Sequence, residues 1–226
     1  MRIADEVSRR HPGTIFGLMA VTGLDTAPDP EAWNGMKEEE TAAFRAAWPA
    51  YERKSAVMRQ PLCSYAGYYR QFKKTYPVLL QMESILVKGR DIQAGSLPVE
   101  TMFTAEVKHG LLVAGHDSAR VSGRYTLNLA RGGESFTMVA GQPRTLKADD
   151  IFMADGDRIL SSVLEGQEYD SRLTGSSAGA LYCVYGVGGV TAERISGFFL
   201  DLARYLKAAY PRAVAGEQRI IPGGAA

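Results

Sequence analysis

The spacing of apolar residues predicts one strand and four helical segments in the first half of the chain. Residues 14–21 (TIFGLMAV) are almost all apolar and lie between two glycines, which is typical of a buried strand. Residues 36–59 open with acidic side chains and continue with apolar positions at helical spacing, and Pro49 divides them into two helical pieces. Residues 78–88 and 98–108 each place apolar side chains on one helical stripe that ends at a glycine.

After residue 110 the pattern changes to short β-rich runs separated by turn residues. Gly-Gly, Gly-Gln-Pro and Asp-Gly lie between the runs, and such sequences are typical of turns. The predicted strands are residues 124–130, 135–139, 150–154, 158–164 and 180–187. A last amphipathic helix is predicted over residues 191–209. Helices followed by strands and a closing helix predict an α+β fold rather than alternating βαβ units.

No linker, repeat or charge block divides the 226 residues, so we expect a single compact domain. Within it we expect an N-terminal strand and helical extension over residues 1–60, a core over residues 61–212 and a loose C-terminal tail over residues 213–226. The longest apolar runs are shorter than the roughly 18–20 residues of a membrane helix. The first residues also lack the apolar region of a signal peptide. We therefore expect a cytoplasmic protein with no membrane partner.

Composition narrows the classes of function. The chain has 26 basic and 25 acidic residues and a formal charge of +1, so an RNA partner must be held by a local patch. Cys63 and Cys183 are the only cysteines, histidine occurs three times, and no CxxC or CxxH spacing is present. We therefore expect neither a metal nor another cofactor. The chain also lacks a phosphate-binding Walker loop and a G-x-S-x-G serine motif.

Two glutamates lie on the apolar faces of predicted helices. Glu83 follows Leu79 by four residues, and Glu106 follows Met102 by four residues. Burial raises the pKa of a carboxyl group unless a cation or N–H donors meet it, and such carboxyl groups recur at active sites. The alternative is a buried ion pair or a glutamate at the edge of its helix.

A histidine and an aspartate follow the apolar run at residues 111–115. His116 can serve as a general base, contact RNA or donate to a neighbouring carbonyl group. Asp117 can line a pocket, or it can simply cap a turn. The sequence leaves both readings of this corner open.

Basic and aromatic residues interleave in the segment 65–76. The basic residues are Arg70, Lys73 and Lys74, and the aromatic residues around them are tyrosines and a phenylalanine. Aromatic rings beside lysine and arginine can stack on bases while the cations contact phosphates. The alternative is an aromatic face in the core with a solvated basic face opposite.

Several short motifs follow one another in an order that resembles a known family. The most similar stretch is Leu127 to Gly141, which carries a strand, an Ala, a Gly-Glu pair, a second strand and a Gly. The tyrosine segment 69–77 and the Asp corner at 115–117 precede it, and residues 161–166 follow it. In this order the chain resembles freestanding proteins built on the B3/B4 domain. That domain is the region of the phenylalanyl-tRNA synthetase β subunit that houses its editing site.

The resemblance implies a β-rich core of mixed sheets with flanking helices and a pocket for an amino acid or an aminoacyl group. It further implies hydrolysis of mischarged tRNA by a positioned water, without a metal or a covalent nucleophile. His116 or Glu106 would then orient the water, and Arg70, Lys73 and Lys74 would hold the acceptor-end phosphates. The remaining residues expected to line the pocket are Glu83, Asp117, Ser162 and Thr174.

This sequence departs from the family pattern at functionally important positions. Ser161 and Ser162 replace an Ala-Gly pair, Glu165 replaces a glycine, and His116 takes a position that is usually aromatic. The leading hypothesis is therefore an aminoacyl-tRNA deacylase acting in trans or a tRNA-binding protein. The competing hypothesis is a non-catalytic binding module for an amino acid or a related small metabolite. A metabolic hydrolase would need a nucleophile or a metal that the motifs do not supply.

Overall fold

A computed structural model describes residues 1–224, which form seven α-helices, one short 3-10 helix at Ser118–Arg120 and eleven strands. The helices are α1 (Asp5–Arg10), α2 (Pro30–Ala47), α3 (Arg53–Ala56), α4 (Leu62–Gln71), α5 (Pro77–Leu86), α6 (Leu97–His109) and α7 (Ala192–Ala209). The strands are β1 (Arg2–Ile3), β2 (Ile15–Thr22), β3 (Val113–Asp117), β4 (Tyr125–Leu129), β5 (Ser135–Thr137), β6 (Pro143–Thr145), β7 (Ile151–Asp155), β8 (Arg158–Ser162), β9 (Gly166–Gln167), β10 (Gly179–Gly186) and β11 (Val214–Pro222).

A four-stranded antiparallel sheet, with the order β11-β2-β10-β3, lies under helix α7. Strand β10 is buried along its whole length, as its continuous apolar sequence predicts. Helix α7 packs directly on β2, because a side chain at Gly17 would collide with Ile195 and Phe199 of the helix. These two residues belong to the buried face of α7, whose apolar residues recur at helical spacing.

A five-stranded sheet with the order β1-β4-β7-β8-β9 forms the second layer. Its strands are antiparallel except for β1, which pairs in parallel with β4. The register between β7 and β8 shifts after Met153, so that Met153 pairs with Ser161 and Phe152 pairs with Ser162. The consecutive serines lie at the end of β8 and, as neighbours on a strand, point to opposite faces. Only Ser161 faces the four-stranded sheet, where it contacts His116.

The fold class is α+β, as the order of predicted elements indicated. The prediction over residues 36–59 was inexact, because α2 begins earlier, at Pro30. Asp29 caps this helix by accepting a hydrogen bond from the Ala32 amide at 3.0 Å, and Pro30 is favourable in its first turn. The helix ends at Ala47, before Pro49, and the second predicted piece is the single turn α3.

The C-terminal segment differs most from its prediction. The expected loose tail is wrong for residues 214–222, which form strand β11 along the outer edge of β2, with a bulge between Ala215 and Gln218. Pairing satisfies N–H and C=O groups that the edge of β2 would otherwise leave free. Residues 225 and 226 of the predicted tail lie outside the described part of the chain. The division between extension and core stays a prediction.

Candidate functional site

His116 lies on β3 with its ring completely buried between the two sheets. Its Nδ1 atom is 2.8 Å from the Oγ atom of Ser171, and its Nε2 atom is 3.3 Å from the Oγ atom of Ser161. Ser161 is on β8 of the five-stranded sheet, whereas β3 belongs to the four-stranded sheet. The imidazole therefore connects the two sheets through side-chain hydrogen bonds.

The hydrogen bonds continue beyond both serines. The Ser171 hydroxyl donates to Glu168 Oε2 at 2.7 Å, and the Ser161 hydroxyl contacts the hydroxyl of Tyr185 on β10. We call Glu168, Ser171, His116, Ser161 and Tyr185 the His116 network. All five residues are buried, so the network is closed to solvent on every side that the structure describes.

Burial controls the protonation of His116. Removal of the ring from water, together with the nearby charge of Arg158, lowers its pKa to about 3. The imidazole is consequently neutral at pH 7 and accepts on one nitrogen while it donates on the other. A neutral imidazole can act as a general base, but a pKa of about 3 makes this one a weak base, and both of its nitrogens already have serine partners. The arrangement is suited to holding the sheets together.

Glu106 on α6 is a second buried group and lies apart from the His116 network. Its Oε1 atom accepts from the Val113 amide at 3.2 Å, and the Gln81 side chain also forms a hydrogen bond with the carboxyl group. Burial raises its pKa to about 8, so that the carboxyl group is protonated at neutral pH. Among residues 1–224, Glu106 and His116 share no hydrogen-bond partner.

Glu83 forms an ion pair at the surface. Both guanidinium contacts from Arg53 reach its carboxylate at 2.5 Å, and the Tyr51 hydroxyl lies 3.5 Å away. The ion pair with Arg53 lowers the pKa of Glu83. An ion pair was one alternative that the sequence left open for Glu83, although this one lies at the surface and is not buried. It separates Glu83 from both Glu106 and His116.

Asp117 and Thr174 meet through Ser177. The Asp117 carboxylate accepts from the Ala119 amide at 2.9 Å and from the Ser177 hydroxyl at 2.8 Å. The same Ser177 hydroxyl lies 3.1 Å from the Thr174 amide. These contacts cap the 3-10 helix that follows β3 and fix the loop before β10. The structural alternative for Asp117, a turn cap, is what the geometry shows.

Ser162 belongs to a third group, which surrounds Asp150. Its hydroxyl donates to Asp150 Oδ2 at 2.5 Å, and the Tyr68 hydroxyl donates to Asp150 Oδ1 at 2.7 Å. Asp150 is fully buried, and burial raises its pKa to about 6 although these donors oppose the shift. The local sequence does not single out Asp150, because an aspartate beside Asp149 at the start of a predicted strand gives no sign of burial.

The basic residues predicted to bind RNA separate into free and paired groups. The Lys74 ammonium lies 2.7 Å from Glu165 Oε1, so its charge is already neutralised. Lys73 has left-handed backbone geometry (φ 57°) just after α4, and Arg70 is exposed one turn earlier. In residues 1–224, neither Arg70 nor Lys73 has an acidic side chain within ion-pair distance.

Lys73 lines an open cavity of about 350 Å³ together with residues from distant parts of the chain. Phe72 forms one wall, and Lys147 and Arg10 come from a loop and from α1. Arg10 is paired with Asp149 at 3.0 Å, whereas Lys147 has no ion pair among the described residues. We call Phe72, Lys73 and Lys147 the basic cleft. Lys147 is 74 positions away from Lys73, so no local pattern connects them.

A second cavity, of about 380 Å³, opens between the sheets. Leu18 and Leu181 form apolar parts of its wall, and Tyr125 borders it from β4. Glu217 and Arg219 on β11 stand at its rim as an exposed pair with 3.9 Å between Oε2 and Nε. The cavity therefore combines an apolar interior with one charge of each sign at the entrance.

No protein-family model matches the chain, and a search of the curated proteins finds no match. Among solved structures, the chain is similar to an N-terminal fragment of the phenylalanyl-tRNA synthetase β subunit from Pyrococcus horikoshii. The TM-score is 0.50 and the sequence identity is 11%. The similarity covers 95% of this chain and 49% of the fragment, so the chain spans about half the length of its relative. The fold is phenylalanyl-tRNA synthetase-like.

This similarity concerns the fold alone and assigns no role to the residues of the candidate site. Of the predicted pocket residues, only Asp117 and Thr174 meet, through Ser177, while the other four have separate surroundings. Within residues 1–224, no group of three or more His, Cys, Asp and Glu side chains is arranged to hold a metal ion. No helix in this part of the chain is long and apolar enough to cross a membrane.

Proposed function

We propose that the protein binds a single-stranded RNA end, with the acceptor end of a tRNA as the leading candidate, through the basic cleft. The observation that carries the proposal is the combination of Phe72 with the free lysines Lys73 and Lys147 around one open cavity. A base can stack on an aromatic ring while lysines contact its phosphates, and this combination is typical of single-strand binding. Arg70 lies next to the cleft in sequence and extends the positive surface.

The charge of the whole chain is consistent with a local contact. A formal charge of +1 gives no general attraction for polyanions, so affinity must come from a small number of phosphate contacts. The phenylalanyl-tRNA synthetase-like fold supports a tRNA-related partner at the level of fold. Lys74 contributes less than the sequence suggested, because Glu165 already neutralises it.

Deacylation of a mischarged tRNA in trans, as expected of a freestanding B3/B4 domain, is the catalytic form of this proposal. It requires His116 or Glu106 to orient a water against the aminoacyl ester. His116 is 0% exposed and Glu106 is 3% exposed, and each has its hydrogen bonds satisfied inside the protein. A water and an ester have no access to either group in this conformation. We therefore propose binding and assign no hydrolysis to these two residues.

Fluorescence anisotropy with a labelled tRNA at several salt concentrations tests the binding proposal. Lys73→Gln and Lys147→Gln should each weaken binding and lower the slope of log K against log salt by about one. Lys88→Gln, which removes an exposed lysine outside the cleft, serves as the matched control and should leave both quantities unchanged. Absence of binding at low salt, or an equal effect of Lys88→Gln, would contradict the proposal.

A panel of mischarged tRNAs tests the catalytic form separately. We expect release of the amino acid at the rate measured in buffer alone. Faster release that is lost in His116→Ala or Glu106→Gln, with tRNA affinity retained, would show that the protein is a deacylase and that our assignment is wrong.

The cavity between the sheets favours a second candidate function, the binding of an amino acid with an apolar side chain. Glu217 can accept from the ammonium group and Arg219 can donate to the carboxylate, while Leu18 and Leu181 contact the side chain. Calorimetry with free leucine and with leucinamide, which lacks the carboxylate, tests this candidate. Leucine should bind more tightly, and Arg219→Gln should abolish the difference. Equal affinity for the two compounds, or none, would exclude it.

A further inference from the structure

A separate cavity of about 120 Å³ lies on the helical side of the molecule, between α2, α6 and the start of α7. Its apolar walls include Phe44, Leu62, Met82 and Val107, all of which are buried. It shares no lining residue with the basic cleft or with the cavity between the sheets. The apolar part of this cavity is formed by residues of the hydrophobic core.

Basic side chains also line this cavity. They are Arg59, Arg194, Lys108 and His109, and no aspartate or glutamate lines it. An apolar pocket with several cations and no acidic lining residue is a poor environment for a neutral or cationic ligand.

Two of the four cations are neutralised from outside the cavity. The Lys108 ammonium lies 2.9 Å from Glu40 and 2.8 Å from Asp201. The His109 ring is 2.8 Å from the same Asp201 carboxylate, and its burial lowers the pKa of the imidazole. Lys108 and His109 therefore form a fixed polar wall and contribute little net charge.

Arg59 and Arg194 have no such partner. Neither guanidinium forms an ion pair or a side-chain hydrogen bond with any of the residues 1–224. The Arg59 guanidinium instead lies over the Trp48 ring, 4.6 Å from its centroid, which restricts its orientation. A restricted guanidinium loses less entropy when it binds an anion, and its fork matches a carboxylate or a phosphate.

We infer that this cavity is a binding site for a small organic anion, with the anionic group between Arg59 and Arg194 and a short apolar group against Leu62, Met82 and Val107. A carboxylate and a phosphate monoester share this chemistry, and the cavity has room for a short aliphatic or aromatic body. The site is independent of RNA binding, because it uses none of the residues of the basic cleft.

Isothermal titration calorimetry with hexanoate, hexyl phosphate, hexanol and inorganic phosphate tests the inference. Hexanoate or hexyl phosphate should bind, whichever anionic group the site prefers. Hexanol, which lacks the charge, and inorganic phosphate, which lacks the apolar group, should each bind at least about tenfold more weakly, a difference of about 1.4 kcal/mol. Addition of tRNA should leave the affinity for hexanoate unchanged.

Three variants locate the site. Arg59→Gln and Arg194→Gln should each weaken binding by about tenfold or more, since each removes one charge-assisted contact. Arg212→Gln removes another exposed arginine without an ion pair and should bind like the wild type. All three positions are exposed, and matching circular dichroism spectra will verify folding. Absence of binding by every organic anion, equal binding of inorganic phosphate, or equal weakening by Arg212→Gln would overturn the inference.

Discussion

The Nε2 atom of His116 lies 3.3 Å from the Oγ atom of Ser161, and this contact bridges the two main sheets of the protein. A buried imidazole and a buried hydroxyl each lose their hydrogen bonds to water on folding. Each replaces them only with hydrogen bonds to the other and to its further partners in the protein. The geometry therefore specifies how the sheets pack. A shifted register would leave polar atoms without partners in the core.

Ser161→Ala should lower the free energy of unfolding by about 1–3 kcal/mol. The substitution removes one partner from His116 and one from Tyr185, and buried polar groups left without partners are costly. Urea unfolding followed by circular dichroism measures the change. Ser135→Ala, at an exposed strand position, should change the same quantity by less than about 0.5 kcal/mol. Equal effects of the two substitutions would show that the His116 network does not stabilise the fold.

Glu106→Gln should make the stability of the protein less dependent on pH. Because burial raises the pKa of Glu106 from 4.5 to about 8, the folded state binds more protons than the unfolded state between these values. Its contribution is complete below pH 4.5 and is lost as the pH rises towards 8, by up to about 1.4 kcal/mol per pH unit. Glutamine keeps an acceptor for the Val113 amide but does not ionise. At pH 9 the variant should unfold at higher urea concentration than the wild type.

Glu83→Gln should change the pH dependence of stability in the opposite direction in the same experiment. Its pKa is lowered by Arg53, so its contribution is present above the unfolded value of 4.5 and is lost as the pH falls through the folded value. Because the ion pair is partly exposed, solvent screening limits its contribution to the free energy of unfolding to about 0–1 kcal/mol. At pH 9 the urea midpoint of this variant should be at or below that of the wild type. A gain in stability at pH 9 for both variants would show that the pH effect does not arise from burial of Glu106.

Lys74→Gln should mainly lower stability, whereas Lys73→Gln should mainly weaken tRNA binding. Lys74 neutralises Glu165, whose side chain is 5% exposed. Without Lys74, Glu165 keeps one ion pair, with Arg144 at 3.4 Å. We expect Lys74→Gln to lower the free energy of unfolding by about 1–3 kcal/mol and to affect tRNA affinity only slightly. Lys73→Gln should weaken tRNA binding with little change in stability. The reverse pattern would show that Lys74, and not Lys73, is the phosphate contact.

Local patterns predicted those parts of the fold that depend on local physical chemistry. The strand at 14–21 and the helices ending near Gly89 and Gly110 followed from apolar spacing and from glycine at helix ends. Strand β3 was not predicted, because its residues 113–117 have neither alternation nor flanking turn signals. It forms by pairing with β10, which lies more than 60 residues later in the chain.

Tertiary contacts also bring together residues of the candidate sites that no local pattern connects. His116 and Glu106 were recognised as unusual because polar residues on apolar faces are visible in one segment. Their partners were not recognised, since Ser171 and Ser161 reach His116 only through tertiary contacts. Lys147, in the loop between β6 and β7, lines the same cavity as Lys73 for the same reason. Local sequence therefore identifies candidate side chains but not the groups in which they act.

Strand β11 is an element that forms through tertiary pairing, and its removal tests how much that pairing stabilises the sheet. Its residues 214–222 are mostly exposed and have weak local preference, yet they pair along β2 from Thr22 to Ile15. A variant that ends at Ala213 should leave β2 as an open sheet edge with free N–H and C=O groups. We expect a lower urea midpoint and concentration-dependent association, measured by circular dichroism and light scattering.

A variant that ends at Gly224 keeps the whole strand and is the matched control for this truncation. It should remain monodisperse to the same extent as the full chain and keep its urea midpoint, because Gly223 still donates to the Thr14 carbonyl group. If the variant that ends at Ala213 behaved like this control, β11 would not stabilise the sheet, and pairing with β2 would be dispensable. If only Ile220→Ser and Ile221→Ser reproduced the loss, side-chain contacts of the strand would outweigh its backbone hydrogen bonds. We expect the backbone pairing to dominate, because most side chains of β11 remain in solvent.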